Sequence, residues 1–409
     1  MKVVFLNPSG QLGGAERGLL EFMASLRAAE PDWELELVAT ADGPFVARAA
    51  ALGVGTVVLP LPDALAELGD GGEGARRAGL RGRLALAGGL LRGVLPGLAY
   101  VRRLRRILRD AAPDVVHTNG FKMHVLGARA RPRGVPVVWH VQDFVSRRPV
   151  MSRLLRAHAG RCAAVVAISR SVAADVRAVC GDLVPVHPVY SAVDLEAFTP
   201  GGPAADLDAA AGLPAPAPGT VRVGLVAVLA WWKGHETFLR AVSLLPRGLP
   251  FRAYVVGGPL YVTGGSSQLS LDGLRKRAEE LGVADRVGFT GFVQEPAAAM
   301  RALDVVVHAS TEPEPFGMVI VEAMACGRAL VGSEGGGAAE LISAGENALG
   351  HPPGDARRLA ECIETLVRDA ELRARLGRVG RAEVERSFDR RRLAAELVPI
   401  YREALAGAG

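Results

Sequence analysis

The chain has 409 residues, enough for two or three domains that each bury a hydrophobic core. With 49% hydrophobic residues, 22% charged residues and a net charge of +5, it is not an intrinsically disordered polymer. An ordinary membrane-spanning helix is excluded, because no uncharged apolar run reaches about 18 residues. Four widely separated cysteines without a metal-binding spacing indicate core residues in a reducing compartment.

Short apolar runs alternate with helical stretches from the first residues onward. The opening run, KVVFLN, has the composition of a buried strand rather than a signal peptide, so we expect a cytoplasmic protein. Near-continuous apolar strands between helices predict a parallel sheet covered on both faces. The predicted strands of this half are KVVFLN, WELELVAT, TVVLPL, DVVHTN, PVVWHV and AAVVAIS.

A segment rich in proline, glycine and alanine, residues 199–220, separates this half from a second one. The alternation then resumes with the predicted strands VRVGLVAV, RAYVVGG, RVGFTG, DVVVHAS and ALVGS. We therefore predict an α/β protein of two doubly wound, Rossmann-like domains that face each other across a cleft. The predicted domains are residues 1–190 and 191–389, and residues 390–409 have the periodicity of a helix that docks on a domain.

Residues 76–109 contain ten arginines and no acidic residue. One interpretation is a solvated helix face beside a glycine-rich loop. The others are a peripheral contact with an anionic membrane, on its cytoplasmic face, or contact with an anionic acceptor. Nucleic acid is not an expected partner, because Tyr100 is the only aromatic residue of the segment that could stack on bases.

Two glutamates eight residues apart, Glu314 and Glu322, flank a turn in the segment TEPEPFGMVIVEAMACG. Pro315 favours an extended backbone at Glu314, and residues 316–318 then turn the chain into a predicted helix. Helical side chains lean toward the N-terminus, so both carboxylates are predicted to reach one ligand beside the positive end of the helix dipole. Two acceptor groups there suit the hydroxyl groups of a sugar. The alternative is a capping acid followed by a satisfied core acid.

Two further turns carry groups suited to a diphosphate. Gly13 and Gly14 lie between the first strand and a helix, where backbone N–H groups can hold an anion; the alternative is a tight turn and nothing more. Lys233, in WWKGHETFLRA, follows a strand and precedes a helix. We interpret it as the partner of a diphosphate rather than as an ordinary surface lysine.

His140 is the candidate for the reacting centre, because it ends a predicted strand and parallel sheets bind ligands at the carboxyl ends of their strands. A structural role is the alternative, and His117 is a second candidate. Asp206 and Asp208 have the spacing of a metal-binding pair but lie in the linker with no strand before them. We therefore predict no metal site.

With these motifs the chain resembles the retaining glycosyltransferases of family 4, which have the two-domain GT-B fold. The resemblance extends over nearly the whole chain, through GGAE, DVVHTNG, AISRSVAADV, SAVDLEAF, KG, VVGGP, GFV, EPFGMVIVEAMACG and GG..EL. It implies transfer of a sugar, with retention of configuration, from a nucleotide diphosphate donor such as a UDP- or GDP-sugar. The acceptor would be a hydroxyl group of a sugar, a natural product or a lipid-linked molecule. Family members generally need neither a cofactor nor a bound metal.

The resemblance also implies roles for the candidates in residues 191–389, the expected donor-binding domain. Glu314 would contact hydroxyl groups of the donor sugar, and Glu322 would contact the ribose of the nucleotide. The backbone of Phe316, Gly317 and Met318 would hold the sugar and the phosphate. Lys233 would neutralise the leaving diphosphate.

In residues 1–190, the expected acceptor-side domain, the resemblance implies that Gly13 and Gly14 approach the diphosphate. His140 would lie at the reacting centre near the donor sugar. The family's last helix usually packs back on this domain, which is the expectation for residues 390–409.

One position departs from the family pattern. An arginine usually precedes the lysine by five residues, where this chain has Val228, and Arg170 or Arg222 is the predicted replacement. Two rival functions remain. A nucleotide-sugar epimerase or hydrolase would need acid and base groups besides His140, and a non-catalytic sugar-binding subunit is favoured only by the missing arginine.

Overall fold

The computed structural model of the chain describes residues 1–66, 79–258 and 269–408, and of residues 79–94 the backbone alone. The chain divides into two compact units: Met1–Tyr190 with Arg390–Gly409, and Ser191–Asp389. Each unit is built on one parallel sheet flanked by helices, which confirms the predicted α/β class. Of the basic segment 76–109, Arg76 and Arg77 lie outside the described residues.

The strands form one sheet in each unit. In chain order they are β1 Lys2–Asn7, β2 Glu34–Ala39, β3 Gly55–Val58, β4 Val115–Asn119, β5 Val137–Val141, β6 Ala164–Ala167, β7 Val186–Pro188, β8 Val221–Val226, β9 Phe251–Val256, β10 Val287–Gly291, β11 Val305–His308, β12 Ala329–Ser333 and β13 Leu349–His351. The first sheet has the order β3-β2-β1-β4-β5-β6-β7 and the second the order β10-β9-β8-β11-β12-β13. Every neighbouring pair in these sheets is parallel.

Helices connect these strands. They are α1 Gly14–Ala29, α2 Pro44–Ala51, α3 Asp63–Ala66, α4 Gly79–Ala111, α5 Phe121–Ala130, α6 Pro149–Ala159, α7 Arg170–Cys180, α8 Leu207–Ala210, α9 His235–Leu244, α10 Leu271–Glu280, α11 Pro296–Arg301, α12 Met318–Ala325, α13 Ala356–Arg368, α14 Ala370–Ser387 and α15 Arg392–Ala406. Among the described residues, none of these helices is both long enough and apolar enough to cross a membrane.

The central strands are buried along their whole length, which explains their unbroken apolar runs. Every residue of β4, β5, β6, β11 and β12 is buried. A parallel sheet covered on both faces leaves no strand position in water, so the alternation of polar and apolar residues disappears. The edge strand β3 differs, since all four of its residues are exposed.

The cysteines are core residues, as predicted. Cys162, Cys180, Cys326 and Cys362 are all buried and free of disulfide bonds. Burial raises the pKa of Cys326 to about 11, so this thiol stays protonated and unreactive near neutral pH.

The C-terminal helix α15 packs against α1 within the first unit. Its apolar face is buried, including Leu393, Leu397 and Tyr401. Two polar contacts secure it: the backbone N–H of Ala394 donates to Ser25 Oγ at 2.9 Å, and a hydrogen bond of 2.7 Å joins the Tyr401 hydroxyl to His117 Nδ1. The last segment of the chain therefore packs against α1, β4 and β5 and contributes to the core of the first unit.

Each sheet has one point at which the strand order reverses. In the first sheet the chain moves outward from β1 to β3 and then restarts on the other side at β4. In the second sheet β8 and β11 are related in the same way. Ligands of open parallel sheets bind at the carboxyl ends of the strands at such switch points. Two places in the chain therefore qualify as sites.

Candidate functional site

Lys233 and Glu314 meet at the switch point of the second sheet. The Lys233 ammonium nitrogen, Nζ, donates to both carboxylate oxygens of Glu314 at 2.9 Å each. The two side chains are 23% and 15% exposed, so the pair is largely shielded from water but still accessible. Charges in such a partly buried position act on a ligand more strongly than fully solvated ones.

Other polar groups hold the same carboxylate. Ser310 Oγ donates to Glu314 Oε2 at 2.7 Å, and His308 Nε2 lies 3.5 Å from that oxygen. Burial alone would raise the pKa of Glu314, but Lys233 and His308 outweigh it and hold this pKa well below its usual range. Glu314 is therefore an ionised group that only accepts hydrogen bonds, which suits the hydroxyl groups of a sugar.

The turn that carries Lys233 is tied to the end of β11. Residues Trp231–Lys233 form a short 3-10 helix, and Gly234 follows it with a φ of 76° at the start of α9. A Cβ atom at Gly234 would lie 1.8 Å from the carbonyl oxygen of Ala309, so only glycine permits this approach. The backbone N–H of Thr311 donates to the carbonyl of Trp232 at 2.8 Å, which links the two strand ends directly.

A glycine loop after β12 fixes the backbone of Glu314. The N–H of Glu314 donates to the carbonyl of Gly335 at 3.1 Å, and the N–H of Gly337 donates back to the Glu314 carbonyl at 2.7 Å. Gly336 lies between them with a φ of 64°, and a Cβ there would lie 2.6 Å from the Glu314 carbonyl oxygen. Loops from β8, β11 and β12 thus position one lysine and one glutamate.

The turn into α12 was correctly predicted at Phe316–Met318. Phe316 is 2% exposed and its ring packs 6.0 Å from the ring of Phe388. Gly317 has a φ of 107° and caps the helix, whose first residue is Met318. Glu322 is 7% exposed in the second turn of α12. Its contact with a ribose, like the contacts of residues 316–318 with a donor, stays a prediction.

In the first unit the glycine turn lies at the other switch point, but one of its amides is already engaged. The N–H of Gly13 donates to Glu16 Oε2 at 3.1 Å, an arrangement that caps α1. Burial raises the pKa of Glu16. Gly14 is exposed, and a Cβ there would meet no atom within 4 Å. Of the two predicted glycines, only Gly14 is left at the surface, and its role toward a diphosphate stays a prediction.

A chain of side-chain amides lies behind this turn, and sequence reasoning did not single it out. Asn119 Nδ2 donates to Asn7 Oδ1 at 2.7 Å, and Gln142 Nε2 donates to Asn119 Oδ1 at 2.8 Å. Gln142 Nε2 also donates to the carbonyl of Ala15 at 3.0 Å. These amides join the carboxyl ends of β1, β4 and β5 to the beginning of α1.

The structure buries His140 in the first unit, and its predicted position at the reacting centre stays a prediction. The imidazole is 0% exposed and packs edge-on against Phe22 and His117, with ring centroids 4.6 and 5.2 Å apart. Burial lowers its pKa to about 3, so the ring is neutral. His117, the second candidate, is equally buried and bonds to Tyr401. Both histidines are core residues.

Arg222 does not replace the arginine that the family has at the position of Val228. It is the second residue of β8, at the amino end of the strand, whereas Lys233 follows the carboxyl end. Its guanidinium donates to Asp208 Oδ2 at 2.7 Å. Arg170, the other predicted replacement, belongs to the first unit, and its guanidinium lies 5.8 Å from the ring of Tyr190.

The two linker carboxylates, Asp206 and Asp208, have structural roles. Asp206 caps α8 by accepting from the N–H of Ala209 at 2.9 Å. Asp208, 4% exposed, accepts hydrogen bonds from Arg252 and Tyr254 at 2.6 Å each, in addition to that from Arg222. Within residues 1–66, 79–258 and 269–408, no cluster of three or more histidine, cysteine or acidic residues could hold a metal ion.

The polar residues that sequence reasoning missed share one feature. Each ends an apolar strand or follows its end by one or two residues, which is the position where parallel sheets bind ligands. A search for polar residues at strand ends would have found them. They are Asn7, Asn119, Gln142, His308 and Ser310.

Comparison with known proteins identifies the class. The model of the family described as Glycosyltransferase Family 4 matches residues 12–197, and the model described as Glycosyl transferases group 1 matches residues 217–383. The D-inositol 3-phosphate glycosyltransferase 1 of Catenulispora acidiphila is 33% identical over 324 residues, which cover 72% of this chain and 73% of that protein. The chain therefore belongs to the glycosyltransferases of family 4.

Solved structures agree on the fold. The Anabaena protein Alr3699/HepE in complex with UDP matches with a TM-score of 0.75 and 26% identity, over 98% of this chain and 99% of that one. The same protein in complex with UDP-glucose matches with a TM-score of 0.73 and 26% identity, over 100% of this chain and 99% of that one. The protein described here is a glycosyltransferase with the two-domain, Rossmann-like GT-B fold.

Proposed function

We propose that this glycosyltransferase transfers a sugar from a UDP- or GDP-sugar to a hydroxyl group of a small-molecule, glycan or lipid-linked acceptor, with retention of the anomeric configuration. The observation that carries the proposal is the Lys233–Glu314 pair, in which one ammonium spans both carboxylate oxygens at 2.9 Å. It combines a cation for a diphosphate with an acceptor for sugar hydroxyl groups at one switch point. The similar Anabaena protein binds UDP and UDP-glucose.

The main requirement of the reaction is to stabilise the negative charge that develops on the leaving diphosphate, and proton transfer is secondary. The bond between the anomeric carbon and the diphosphate oxygen breaks, and its electrons leave with the diphosphate. The acceptor oxygen forms the new bond on the same face, and its proton passes to the departing diphosphate. Fixed positive groups aimed at the diphosphate stabilise the charge that develops in the transition state. We assign this role to Lys233, whose ammonium has a third N–H that can donate to the diphosphate while the pair with Glu314 is kept.

Helix N-termini add to this positive field. The ten-residue helix α9 begins directly after Lys233 and Gly234, and α12 begins at Met318 directly after the Glu314 turn. Their unpaired N–H groups and dipoles favour an anion in front of them. With a lysine and two helix N-termini available, the proposed transfer needs no metal ion. Glu314 would bind sugar hydroxyl groups, and Glu322 would bind the ribose.

The experiment is to incubate the chain with a panel of UDP- and GDP-sugars, with and without a chelator, and to measure released nucleoside diphosphate. We expect slow release from one donor, unchanged by the chelator. Lys233→Ala and Glu314→Ala should each lower it by about 100-fold or more. Lys276→Ala is the matched control, because Lys276 is an exposed lysine of α10 in the same unit.

Other results would overturn the proposal in distinct ways. If Glu314→Ala releases nucleoside diphosphate as fast as the wild type, the site is wrongly assigned. A nucleotide sugar inverted at C2 would indicate an epimerase, and donor binding without turnover in the presence of acceptors would indicate a binding subunit. An acceptor screen followed by NMR of the product reports the anomeric configuration, and inversion would contradict the retaining assignment.

A further inference from the structure

The outer face of α4 has an unusual combination of side chains. From Leu95 to Arg109 one narrow stripe contains Leu95, Leu98, Arg102, Arg106 and Arg109, which fall within an arc of about 80° at 3.6 residues per turn. Leu95 is 77% exposed and Leu98 is 43% exposed, and the three arginines are exposed as well. We call these five residues the outer face of α4.

The opposite side of the helix explains why this stripe faces water. Tyr100, Leu104 and Leu108 follow one another at intervals of four residues, and each is at most 2% exposed. They lie about 120–160° from the centre of the outer face, on the other side of the helix. The helix is therefore anchored to the unit by one apolar side, and the two exposed leucines are not needed for its packing.

The neighbouring helices continue the positive charge. From Leu95 onward α4 contributes five arginines and one acidic residue, Asp110. The helices α5 and α6 contribute two basic residues each and no acidic residue. They lie beside α4, since α5 packs on α4 and α6 packs on α5. Arg106 and Asp110 form an ion pair of 3.8 Å, but both side chains are more than 70% exposed, and such surface pairs contribute little.

We propose that the outer face of α4 binds an anionic lipid surface. Arginines beside a negatively charged membrane gain charge complementarity, and exposed leucines next to them can enter the boundary between headgroups and acyl chains. A stretch of about 21 Å with apolar residues at one end and cations along the rest fits a surface contact rather than a pocket. Nucleic acid would use the arginines but leave the leucines without a partner. The proposal is independent of the reaction catalysed.

The test measures co-sedimentation of the full chain with vesicles. One set contains phosphatidylcholine alone and the other phosphatidylcholine mixed with phosphatidylglycerol. We expect binding only to the anionic set, weakened by high salt. The triple variant Arg102→Gln, Arg106→Gln, Arg109→Gln should bind about 100-fold more weakly. The double variant Leu95→Ser, Leu98→Ser should bind roughly tenfold more weakly at unchanged charge.

The control variant carries Arg358→Gln, Arg368→Gln and Arg386→Gln, which remove the same charge from exposed helix positions of the second unit. It should bind vesicles like the wild type. All variants should keep the circular dichroism spectrum and the nucleoside diphosphate release of the wild type, which separates this proposal from the proposed function.

Three results would overturn the lipid assignment. The first is no preference of the wild type for anionic vesicles. The second is equal loss of binding in the control variant. The third is wild-type binding by the leucine variant together with full competition by a DNA oligonucleotide, which would assign the arginines to nucleic acid.

Discussion

At the scale of single residues, the ion pair of Lys233 and Glu314 is held more firmly than an ordinary surface pair. Its carboxylate accepts from Ser310 as well as from the ammonium, so both oxygens are occupied in the absence of a ligand. Such a carboxylate is fixed in place before the donor arrives, and little ordering is left to be done when it binds. Because the pair is partly buried, it is sensitive to substitution: removing one partner leaves the charge of the other uncompensated.

The first prediction follows from this sensitivity. In the wild type the pKa of Glu314 lies well below its usual range, so the carboxylate stays ionised between pH 8 and 5 and donor affinity should not depend on its titration. Lys233→Met removes a group that outweighs burial, and the pKa of Glu314 should rise. Glu314 then takes up a proton as the pH falls. We expect the affinity of the variant for its donor to drop about tenfold from pH 7 to pH 5.

Titration calorimetry with the preferred nucleotide sugar across this pH range is the measurement. Lys276→Met serves as the control, since it removes an exposed lysine of the same unit. Parallel pH profiles for the wild type and Lys233→Met would show that Lys233 does not control the ionisation of Glu314.

At the scale of elements, the loops after β8, β11 and β12 determine where the site residues lie. These loops approach each other so closely that a side chain is excluded at Gly234 and at Gly336. The helices α9 and α12 start immediately after Lys233 and after the Glu314 turn, which aligns their positive ends with the site. A displacement of one loop would therefore also displace the Lys233 or Glu314 side chain carried by its neighbour.

Gly336→Ala tests this dependence against a matched position. Both Gly336 and Gly345 have a positive φ, 64° and 82°, so alanine costs about 1 kcal/mol or more of folding free energy at either place. At Gly345 the new Cβ meets no atom within 4 Å, whereas at Gly336 it lies 2.6 Å from the Glu314 carbonyl oxygen. We expect both variants to lose stability in urea unfolding and only Gly336→Ala to lose most of its nucleoside diphosphate release. Equal activities would show that the glycine loop does not position Glu314.

The C-terminal helix gives a second comparison of matched variants. Tyr401→Phe on α15 removes the 2.7 Å hydrogen bond to His117 and leaves a buried imidazole nitrogen unpaired. The expected loss is about 1–3 kcal/mol of unfolding free energy. Tyr100→Phe removes a buried hydroxyl that has no hydrogen-bond partner among the described residues, so it should be neutral or stabilising. Urea unfolding measures both, and equal losses would contradict the assigned contact.

At the scale of the whole molecule, both units bury neutral histidines, and this should make the protein sensitive to acid. His117, His124 and His140 in the first unit and His235 and His351 in the second are all 0% exposed. Burial lowers the pKa of each, to about 3 for His124 and His140 and to about 4 for His235. Protonation of these rings is therefore favoured by unfolding.

The sign of the pH dependence follows from linkage. Below the unfolded pKa of about 6.5 the unfolded chain binds more protons than the folded one, so stability is complete above this pH and falls as the pH is lowered. Each such histidine contributes a slope of about 1.4 kcal/mol per pH unit in this range. Glu314 affects the pH dependence of stability only below pH 4.5, the ordinary pKa of its carboxyl group in the unfolded chain. Its pKa in the folded protein lies lower still, so it stays ionised in both states above that pH. Urea unfolding between pH 7 and 5 therefore follows the histidines without a contribution from Glu314.

The variant His140→Leu should reduce the slope of unfolding free energy against pH by about 1.4 kcal/mol per pH unit. This is the contribution of one proton, because the variant removes one of the buried rings. Urea midpoints for the wild type and the variant at several pH values provide the measurement. A slope equal to that of the wild type would show that His140 is protonated to the same extent in the folded and the unfolded protein.

The periodicity of the chain predicted much of this architecture, for reasons that are local. Continuous apolar runs such as DVVVHAS mark strands that are covered on both sides, and the structure has strands at all the runs that were named. Lys233 and the Glu314 turn were found because a lone lysine and a glutamate before a proline depart from their surroundings. Val228 was recognised as the position of a missing arginine by comparison with the family pattern, but that pattern contains no information about a substitute elsewhere in the chain.

What the sequence determined by itself is the order of strands and helices, the family, and the residues that follow strand ends, since all of these depend on neighbours in the chain. Only the tertiary structure decided which strand-end residues are accessible. His140 is covered by Phe22 of α1 and by the His117–Tyr401 contact, and Tyr401 comes from the opposite end of the chain. Glu314 meets Lys233 because β8 and β11 are neighbours in the sheet although not in the sequence. Burial and pairing depend on contacts between distant segments, and no local pattern records them.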